Sequence, residues 1–125
     1  MRAAVLFGLL GCAALAACGS RPRPDPSSTA ALDGDASRGR QTLAGYGCGS
    51  CHVIPGVQGA RGVVAPPLTA FSQRSFIAGQ TPNTRENLVR WIMDPQSLAP
   101  GTAMPDLSAP ETAARDMAAY LYTLR

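Results

Sequence analysis

From Asp35 onward, apolar residues recur at the three- and four-residue spacing of amphipathic helices in three separate segments. The first helix is predicted to begin near Asp35, a favourable N-cap residue, and to lead into Cys48. The positions that share its face are Ala36, Gly39 and Leu43. No segment shows the strict alternation that indicates a half-buried strand, so the pattern predicts an all-α domain.

Two further helices follow, and each has its own start signal. One is predicted to begin near Asn83, with Glu86 three positions later in the relation of a capping box, and to stop at Pro95. Its apolar face consists of Leu88, Trp91 and Ile92. The other is predicted to begin at Ser108, and its apolar stripe consists of Met117, Tyr120, Leu121 and Leu124.

The N-terminal quarter of the chain differs in composition from the rest. Residues 1–17 combine an early Arg with an apolar run and small residues, the layout of a secretory signal peptide; an uncleaved anchor helix is the alternative. Residues 15–18, Leu-Ala-Ala-Cys, resemble the lipobox of bacterial lipoproteins, which implies that Cys18 becomes the lipid-carrying N-terminus. Residues 18–32 are rich in Pro and Ser and predict a flexible linker, so residues 33–125 form one small domain. We therefore expect an exported, lipid-anchored protein in the periplasm or on the outer face of the cytoplasmic membrane.

The charge of the chain gives no reason to expect a nucleic-acid partner. The formal net charge is +3, and all eleven basic residues are Arg. From position 33 onward, eight Arg face seven acidic residues, so most of the positive excess lies in the N-terminal segment. A nucleic-acid-binding domain requires a concentrated basic face, which this balance does not provide.

The residues with the most specific chemistry are Cys48, Cys51 and His52, which form a CxxCH motif after the first helix. Two thiols at this spacing can each add to one vinyl group of the same porphyrin, and the adjacent imidazole can then bind the iron. This is the attachment motif of haem c, and it indicates one covalently bound haem. Long loops rich in Gly and Pro, at 53–70 and 95–107, would wrap such a cofactor.

Three alternative interpretations of the CxxCH motif explain it less completely than haem attachment does. They are a disulfide, a redox-active dithiol and a zinc site. A structural disulfide leaves the adjacent His52 unexplained, and a thioredoxin-like site belongs next to a βαβ pattern, which is not visible. A zinc site requires four ligands, but the chain has one His and no second Cys pair after Cys51. If Cys12 is discarded with the signal peptide and Cys18 is lipidated, every Cys of the chain has an assigned role.

The second axial ligand of the iron is predicted to be Met104. A thioether is a soft, neutral ligand that favours Fe(II) and raises the reduction potential. Met104 lies in a loop between Gly101 and Pro105, where its side chain can point at the iron. Met93 and Met117 lie on predicted helices, where packing in the core is the expected role.

The order of these features resembles that of the class I cytochrome c family: a Gly on the first helix, CxxCH, a Pro-Leu loop, a Met-Pro loop and a final Tyr-Leu helix. A narrower resemblance spans nearly all of residues 33–125, and it is to the cytochrome c domain fused to subunit II of certain haem–copper oxidases. The segments that carry it are 74–79 (RSFIAG), 83–88 (NTRENL), 91–96 (WIMDPQ) and 100–105 (PGTAMP).

The resemblance implies an all-α, class I cytochrome c-like fold, in which three or more helices and long Gly/Pro loops wrap around one covalent haem. It implies that the first and last helices cross, with Gly39 permitting the close approach and Tyr120 as its contact. Met104 matches the family's Met-Pro position, which agrees with its assignment as the axial ligand.

The resemblance also implies haem-binding roles for three residues outside the CxxCH motif. The carbonyl of Pro66 would accept a hydrogen bond from His52 and orient its ring. Arg74 and Trp91 would bind the haem propionates. For Arg74 the alternative is a solvated surface charge, and for Trp91 it is ordinary core packing.

The resulting hypothesis is a monohaem c-type cytochrome that carries single electrons between membrane-associated respiratory partners, such as a quinol-oxidising complex and a terminal oxidase. We expect an electron carrier rather than an enzyme, with no small-molecule substrate and with a lipid anchor in the membrane. Two alternatives stay open. One is a permanent haem subunit of a periplasmic oxidoreductase or oxidase complex, and the other is a haem-based gas sensor, which needs an open sixth position on the iron.

Overall fold

The computed structural model describes residues 34–125, which pack around one apolar core. The predicted signal peptide (1–17), the linker (18–32) and the lipidation site Cys18 lie outside the described residues. None of the described helices is long and apolar enough to cross a membrane. The domain is mostly helical, as the apolar pattern predicts, and its regular elements are α1 (Ala36–Gly45), β1 (Phe76–Ile77), β2 (Thr81–Pro82), α2 (Arg85–Met93), α3 (Pro95–Leu98) and α4 (Glu111–Leu121).

The crossing of α1 over α4 is the framework of the fold. Gly39 lies at this crossing, where a Cβ would overlap the backbone carbonyl of Asp116. Only a residue without a side chain lets the helices come this close, which explains a Gly that costs about 1 kcal/mol inside a helix. The three atoms nearest to a Cβ at Gly39 belong to Asp116 and Met117, so the closest approach is to the backbone of α4 and not to the expected Tyr120 side chain. The Tyr120 hydroxyl instead donates a hydrogen bond to the carbonyl of Pro55, at 2.7 Å.

A buried carboxylate ties the start of α1 to α4. Asp116 is 8% exposed, and it accepts hydrogen bonds from the backbone N–H of Asp35 at 2.6 Å and from the guanidinium of Arg38 at 2.8 and 3.0 Å. Asp35 in turn caps α1, because its side chain accepts from the N–H of Arg38 at 2.9 Å. The hydrogen bond from Arg38 lowers the pKa of Asp116 and outweighs the opposing effect of burial.

The second predicted helix begins two residues later than the sequence indicates. Its first residue is Arg85, and its N-cap is Thr84, whose side chain accepts from the N–H of Asn87 at 3.2 Å. Asn83 does not cap the helix, because its side-chain amide donates to two backbone carbonyls of the segment 71–74, at 3.1 and 3.0 Å. The side chain of Asn83, which the local pattern assigns to capping, therefore makes a tertiary contact instead.

Proline determines two further boundaries. Pro95 follows the end of α2, as predicted, but it also occupies the first position of the short helix α3. The last helix begins at Glu111 and not at Ser108, so the predicted start is wrong. The ring of Pro110 disfavours helical backbone in the residue before it, and a helix therefore cannot run through from Ser108.

The prediction that the domain contains no strand is wrong for one short hairpin. Strands β1 and β2 pair antiparallel in a register that places Phe76 opposite Pro82. Each strand has only two residues, which is too few to show an alternating pattern. Ala78 and Gly79 form the turn with left-handed φ angles of 50° and 70°.

Replacing Asp116 by Asn should lower the free energy of unfolding at neutral pH by about 1–3 kcal/mol, because charge-assisted hydrogen bonds to a buried acceptor are weakened. The pKa of Asp116 is lower in the folded state than in the unfolded state. Its stabilising contribution is therefore complete above the unfolded pKa of about 3.9, and it is lost as the pH falls through the folded pKa. The measurement is chemical denaturation followed by circular dichroism at several pH values.

Glu111→Gln is the matched control on the same helix. The carboxylate of Glu111 forms an exposed pair with Arg115 at 2.5 Å, and such pairs contribute about 0–1 kcal/mol. Two results would contradict the role assigned to Asp116. One is an unfolding free energy of the Asn variant equal to that of the wild type at neutral pH, and the other is a deficit that is equally large in acid.

Candidate cofactor site

A cleft of about 540 Å³ opens between the loops of the domain. Small-molecule and cofactor sites typically have volumes of about 300–1,000 Å³. A smaller, adjoining recess shares Cys48, His52 and Met104 with the cleft, and its other walls are apolar side chains. All seven candidate cofactor-binding residues from the sequence border the cleft: Cys48, Cys51, His52, Pro66, Arg74, Trp91 and Met104.

The CxxCH motif occupies a tight turn directly after α1. The helix ends, and Gly47 takes a left-handed conformation with φ of 71°. A short 3-10 turn over Cys48–Ser50 follows, and the N–H of His52 donates to the carbonyl of Cys48 at 3.0 Å. This local geometry turns three neighbouring chemical groups, two thiols and one imidazole, towards a single cleft.

The turn packs against residues 60–62 with no room for additional side chains. A Cβ at Gly62 would overlap the carbonyl of Ser50, and one at Gly49 would lie 2.6 Å from the Cα of Ala60. The N–H of Gly62 donates to the carbonyl of Gly49 at 3.0 Å and holds the two segments together. The sequence alone does not show that glycine is needed at these two positions. The need comes from the close packing of two segments that meet only in the folded chain.

One hydrogen bond orients the ring of His52. Its Nδ1 lies 2.7 Å from the carbonyl oxygen of Pro66. A carbonyl oxygen only accepts a hydrogen bond, so Nδ1 is the protonated nitrogen and donates this bond. The lone pair of Nε2 is then left free to bind a metal. The loop with Pro66 is itself fixed, because the N–H of Ala65 donates to the carbonyl of Cys51 at 2.9 Å.

The two thiols of the motif are not joined in a disulfide. Cys48 and Cys51 are both free and partly buried. Burial raises the pKa of the Cys48 thiol, whereas metals bind the thiolate. Within residues 34–125 there is also no group of three or more His, Cys, Asp or Glu side chains that could hold a metal ion. The structure therefore offers no support for the zinc alternative in this part of the chain.

Met104 borders both the cleft and the recess from the loop between α3 and α4. Gln96 on α3 forms hydrogen bonds to two backbone groups of this loop. Its amide nitrogen donates to the carbonyl of Thr102 at 2.9 Å, and its amide oxygen accepts from the N–H of Gly101 at 2.9 Å. Gln96 is thus a positioning residue that local sequence patterns do not reveal, although it ends the WIMDPQ segment that resembles the oxidase domain.

The other two described methionines occupy different positions. Met93 on α2 is partly buried against the core and borders neither the cleft nor the recess. Met117 on α4 is fully buried in the core and forms part of the apolar back wall of the recess. Among the described methionines, only Met104 lies in a loop and reaches the cleft.

Arg74 and Trp91 border the same cleft. The guanidinium of Arg74 donates to the carbonyl of Pro67 and, at 3.4 Å, to that of Thr69. It also lies 5.5 Å from the centroid of the Phe71 ring, so this charge rests against the protein and is not a fully solvated surface group. Trp91 is partly buried and packs against the apolar core.

Asn83 holds the segment that precedes the hairpin. Its side-chain amide donates to the carbonyls of Phe71 and Arg74, and its oxygen accepts from the Tyr122 hydroxyl at 2.9 Å. The segment with Arg74 is thereby tied to the end of α4. Asn is favoured both at helix N-caps and in local backbone contacts, and therefore the sequence alone does not separate the two roles.

This donor set fits a covalently held haem. The cleft combines two free thiols, an imidazole with an available Nε2, a thioether and largely apolar walls. Each of these groups has a defined task in haem c binding, whereas a simple apolar ligand would require none of them.

Comparisons with known proteins agree with this chemistry. The chain is 41% identical over 90 residues to cytochrome c oxidase subunit 2 of Alkalihalophilus pseudofirmus, an alignment that covers 72% of this chain and 25% of that protein. It is 35% identical over 83 residues to the same subunit of Bacillus subtilis, covering 62% of this chain and 23% of that protein. It is 31% identical over 99 residues to cytochrome c-552 of Bradyrhizobium diazoefficiens, covering 79% of this chain and 84% of that protein. No family model matches the chain.

A mostly helical domain whose cleft is bordered by a CxxCH motif and a loop methionine is typical of c-type cytochromes. The chain belongs to this family, since its likeness to cytochrome c-552 extends over most of both proteins. It is also related to the cytochrome c domain of oxidase subunit 2, although it spans only about a quarter of the length of those relatives.

Replacing Gly62 by Ala should destabilise the domain by about 1–3 kcal/mol, because the added Cβ must displace the turn that contains the CxxCH motif. The variant should also incorporate less haem, since displaced thiols no longer face the cleft. Chemical denaturation measures the first effect, and haem staining after denaturing electrophoresis measures the second.

Gly45→Ala is the matched control at the end of α1. A Cβ at Gly45 meets no atom within 4 Å, and Ala is favoured over Gly in a helix by about 1 kcal/mol. This variant should be as stable as the wild type or more so. Equal losses of stability and haem in both variants would show that close packing at Gly62 is not the cause.

Proposed function

We propose that the chain binds one haem c covalently and carries single electrons between membrane-associated respiratory partners. The observation that supports this most directly is the convergence of Cys48, Cys51, His52 and Met104 on one cleft. Each thiol S–H would add across one vinyl group of the porphyrin, so that no leaving group is released and two thioethers prevent dissociation. Bound haem iron supplies a one-electron couple at this site.

The residues around the cleft have separate tasks in this proposal. His52 offers Nε2 to the iron, and the carbonyl of Pro66 keeps its ring in place. Met104 would offer its thioether as a second ligand of the iron, which would favour the reduced state. Arg74 and Trp91 would bind the haem propionates. If His52 and Met104 both bound the iron, no position would be left open for a substrate, as suits a carrier.

The proposed location follows from the segment outside the described residues. We propose that residues 1–17 are a signal peptide, that Cys18 is lipidated, and that residues 18–32 tether the domain 33–125 to the membrane. The likeness to oxidase subunit 2 supports a setting beside a membrane-bound respiratory complex. The protein would then act in the periplasm or on the outer face of the cytoplasmic membrane.

A second candidate is a permanent haem subunit of a terminal oxidase or another periplasmic oxidoreductase. The observation that favours it is the identity of 35–41% to two oxidase subunits, which exceeds that to cytochrome c-552. Affinity purification from native membranes separates the two candidates. Recovery of a stoichiometric complex favours the subunit, whereas recovery of the chain alone favours the carrier.

The axial assignment predicts a distinct change on replacing Met104 by Ala. The native protein should retain its haem after acid–acetone extraction and should show the weak far-red absorption band of sulfur-ligated ferric haem. Met104→Ala should abolish that band, lower the reduction potential and open the reduced protein to carbon monoxide, because the sixth position loses its ligand. Absorption spectroscopy and potentiometry provide the measurements.

Met93→Leu is the control for this experiment, because Met93 borders neither the cleft nor the recess. A volume-conserving exchange of this kind usually costs less than about 1.5 kcal/mol and should leave the band intact. Loss of the band in this variant alone would overturn the axial assignment. Haem that extracts freely from the native protein would overturn the whole proposal, and ready binding of carbon monoxide by native protein would favour the gas sensor.

The proposed anchor predicts that the mature protein begins at a lipid-modified Cys18 and partitions into detergent. Cys18→Ala should release the protein into the soluble fraction or leave the signal peptide uncleaved, because no sulfur is then available for the lipid. Mass spectrometry of the N-terminus is the measurement. An unmodified N-terminus well beyond position 18 would contradict the lipoprotein assignment.

A further inference from the structure

A short segment before the hairpin places Arg74 at the cleft. Residues Phe71–Gln73 form a single 3-10 turn, and Arg74 directly follows it and borders the cleft. Ala70, which precedes the turn, has a left-handed φ of 50°, a conformation that residues other than Gly seldom adopt. Such a conformation persists only where the surrounding structure holds it. The position of Arg74 therefore depends on the contacts that hold this turn.

The side chain of Asn83 joins the two ends of the turn. Its amide nitrogen donates to the carbonyl oxygens of Phe71 and Arg74, at 3.1 and 3.0 Å. Because a carbonyl oxygen only accepts, the amide nitrogen must face this pair, and the amide oxygen is left to accept from the Tyr122 hydroxyl at 2.9 Å. The backbone N–H of Asn83 adds a bond to the carbonyl of Ser75 at 2.9 Å. The hydrogen bonds thus fix both the turn and the orientation of the amide.

The residues that follow α4 bind the same turn. Both the N–H and the hydroxyl of Ser72 donate to the carbonyl of Leu124, at 3.0 and 2.8 Å. The ring of Tyr122 lies edge-on to the ring of Phe71, with the two centroids 6.1 Å apart. Tyr122 therefore contacts the turn directly through its ring and indirectly through its hydrogen bond to Asn83.

Asn83 and Tyr122 themselves lie outside the cofactor site. Neither side chain borders the cleft or the recess. The guanidinium of Arg74 reaches from the turn to the carbonyls of Pro67 and Thr69. A displaced turn would carry the backbone of Arg74 with it and would move this charge at the cleft. Asn83 and Tyr122 can therefore act on the site through the turn.

We propose that Asn83 and Tyr122 are positioning residues that fix the Arg74 guanidinium at the cleft and thereby raise the reduction potential of the haem. The inference rests on the proposed function, in which Arg74 binds a propionate. A positive charge near the iron favours the reduced state, because reduction removes one positive charge from the iron. Displacement of Arg74 would withdraw this charge and would leave a propionate without its partner. The two residues would thus tune the cofactor without contacting it.

Trypsin, which cleaves after Arg, reports on the turn independently of the potential. Cleavage requires local opening of the backbone, and its rate rises with the population of the open form. In the full-length protein, Asn83→Ala should accelerate cleavage after Arg74 by about tenfold and Tyr122→Phe by several-fold, because the lost hydrogen bonds free the turn. Cleavage after Arg61 should keep its wild-type rate, whereas global unfolding would accelerate both sites. Mass spectrometry of the early fragments measures the two rates.

Tyr120→Phe is the matched control, because it removes a long-range hydroxyl bond from the same end of α4. The Tyr120 hydroxyl donates to the carbonyl of Pro55 at 2.7 Å and not to Asn83. This variant should show wild-type cleavage after Arg74 and a wild-type potential. Equal acceleration of that cleavage in Tyr120→Phe and Tyr122→Phe would overturn the proposal.

Potentiometry tests the effect on the cofactor. At a fixed ambient potential, the ratio of reduced to oxidised haem should fall several-fold in Asn83→Ala and by a smaller factor in Tyr122→Phe. Arg74→Gln should lower the ratio at least as much as Asn83→Ala does. Combining Asn83→Ala with Arg74→Gln should lower it no further, because both changes withdraw the same charge. A full additional fall in the double variant would reveal a route that bypasses Arg74 and would overturn the proposal.

The results distinguish this proposal from the proposed function. Wild-type potentials in Asn83→Ala and Tyr122→Phe, together with a lowered potential in Arg74→Gln, would overturn this proposal alone. An unchanged rate of cleavage after Arg74 in Asn83→Ala would overturn it as well, whatever the potential. An unchanged potential in Arg74→Gln would instead overturn the propionate-binding role of Arg74 in the proposed function, and this proposal with it.

Discussion

The close contact of α1 with α4 at Gly39 is the constraint on which the rest of the structure depends. α1 ends directly before the turn that contains the CxxCH motif, and α4 supplies Met117 and Leu121 to the back wall of the recess. The distance between these helices therefore positions the CxxCH turn relative to this wall of the recess. Asp116 lies beside the same contact and bonds to the N-terminal turn of α1. Packing and hydrogen bonding thus fix the crossing together.

The loops that complete the cleft have little regular structure, and a few directed hydrogen bonds replace it. Gln96 holds the loop before Met104, Asn83 holds the segment before the hairpin, and the carbonyl of Pro66 holds the ring of His52. A domain of this size buries only a modest core by itself. Under the proposed function, a haem in the cleft would add apolar contact and would make these loops part of one packed unit.

The proposed lipid tether would keep the domain close to membrane-bound partners. In the oxidase relatives the matched segment is a quarter or less of a longer chain. A tether of about fifteen residues would likewise keep the domain close to membrane partners and raise their effective concentration. A carrier confined in this way would need less long-range electrostatic steering.

The sequence by itself determined the features whose signals are local: the helical class, the Asp35 cap and the short-range spacing within CxxCH. Thioether chemistry and loop position likewise favour Met104 among the methionines, and Met104 borders the cleft. Only the tertiary structure decided the true start of α2, the hairpin, the contact of Gly39, and the roles of Gly62 and Gln96. The contact of Gly39 and the role of Gly62 depend on segments that meet only in the folded chain, and such contacts leave no periodic signal in the residues that make them. The strands of the hairpin have only two residues each, which is too few to show alternation.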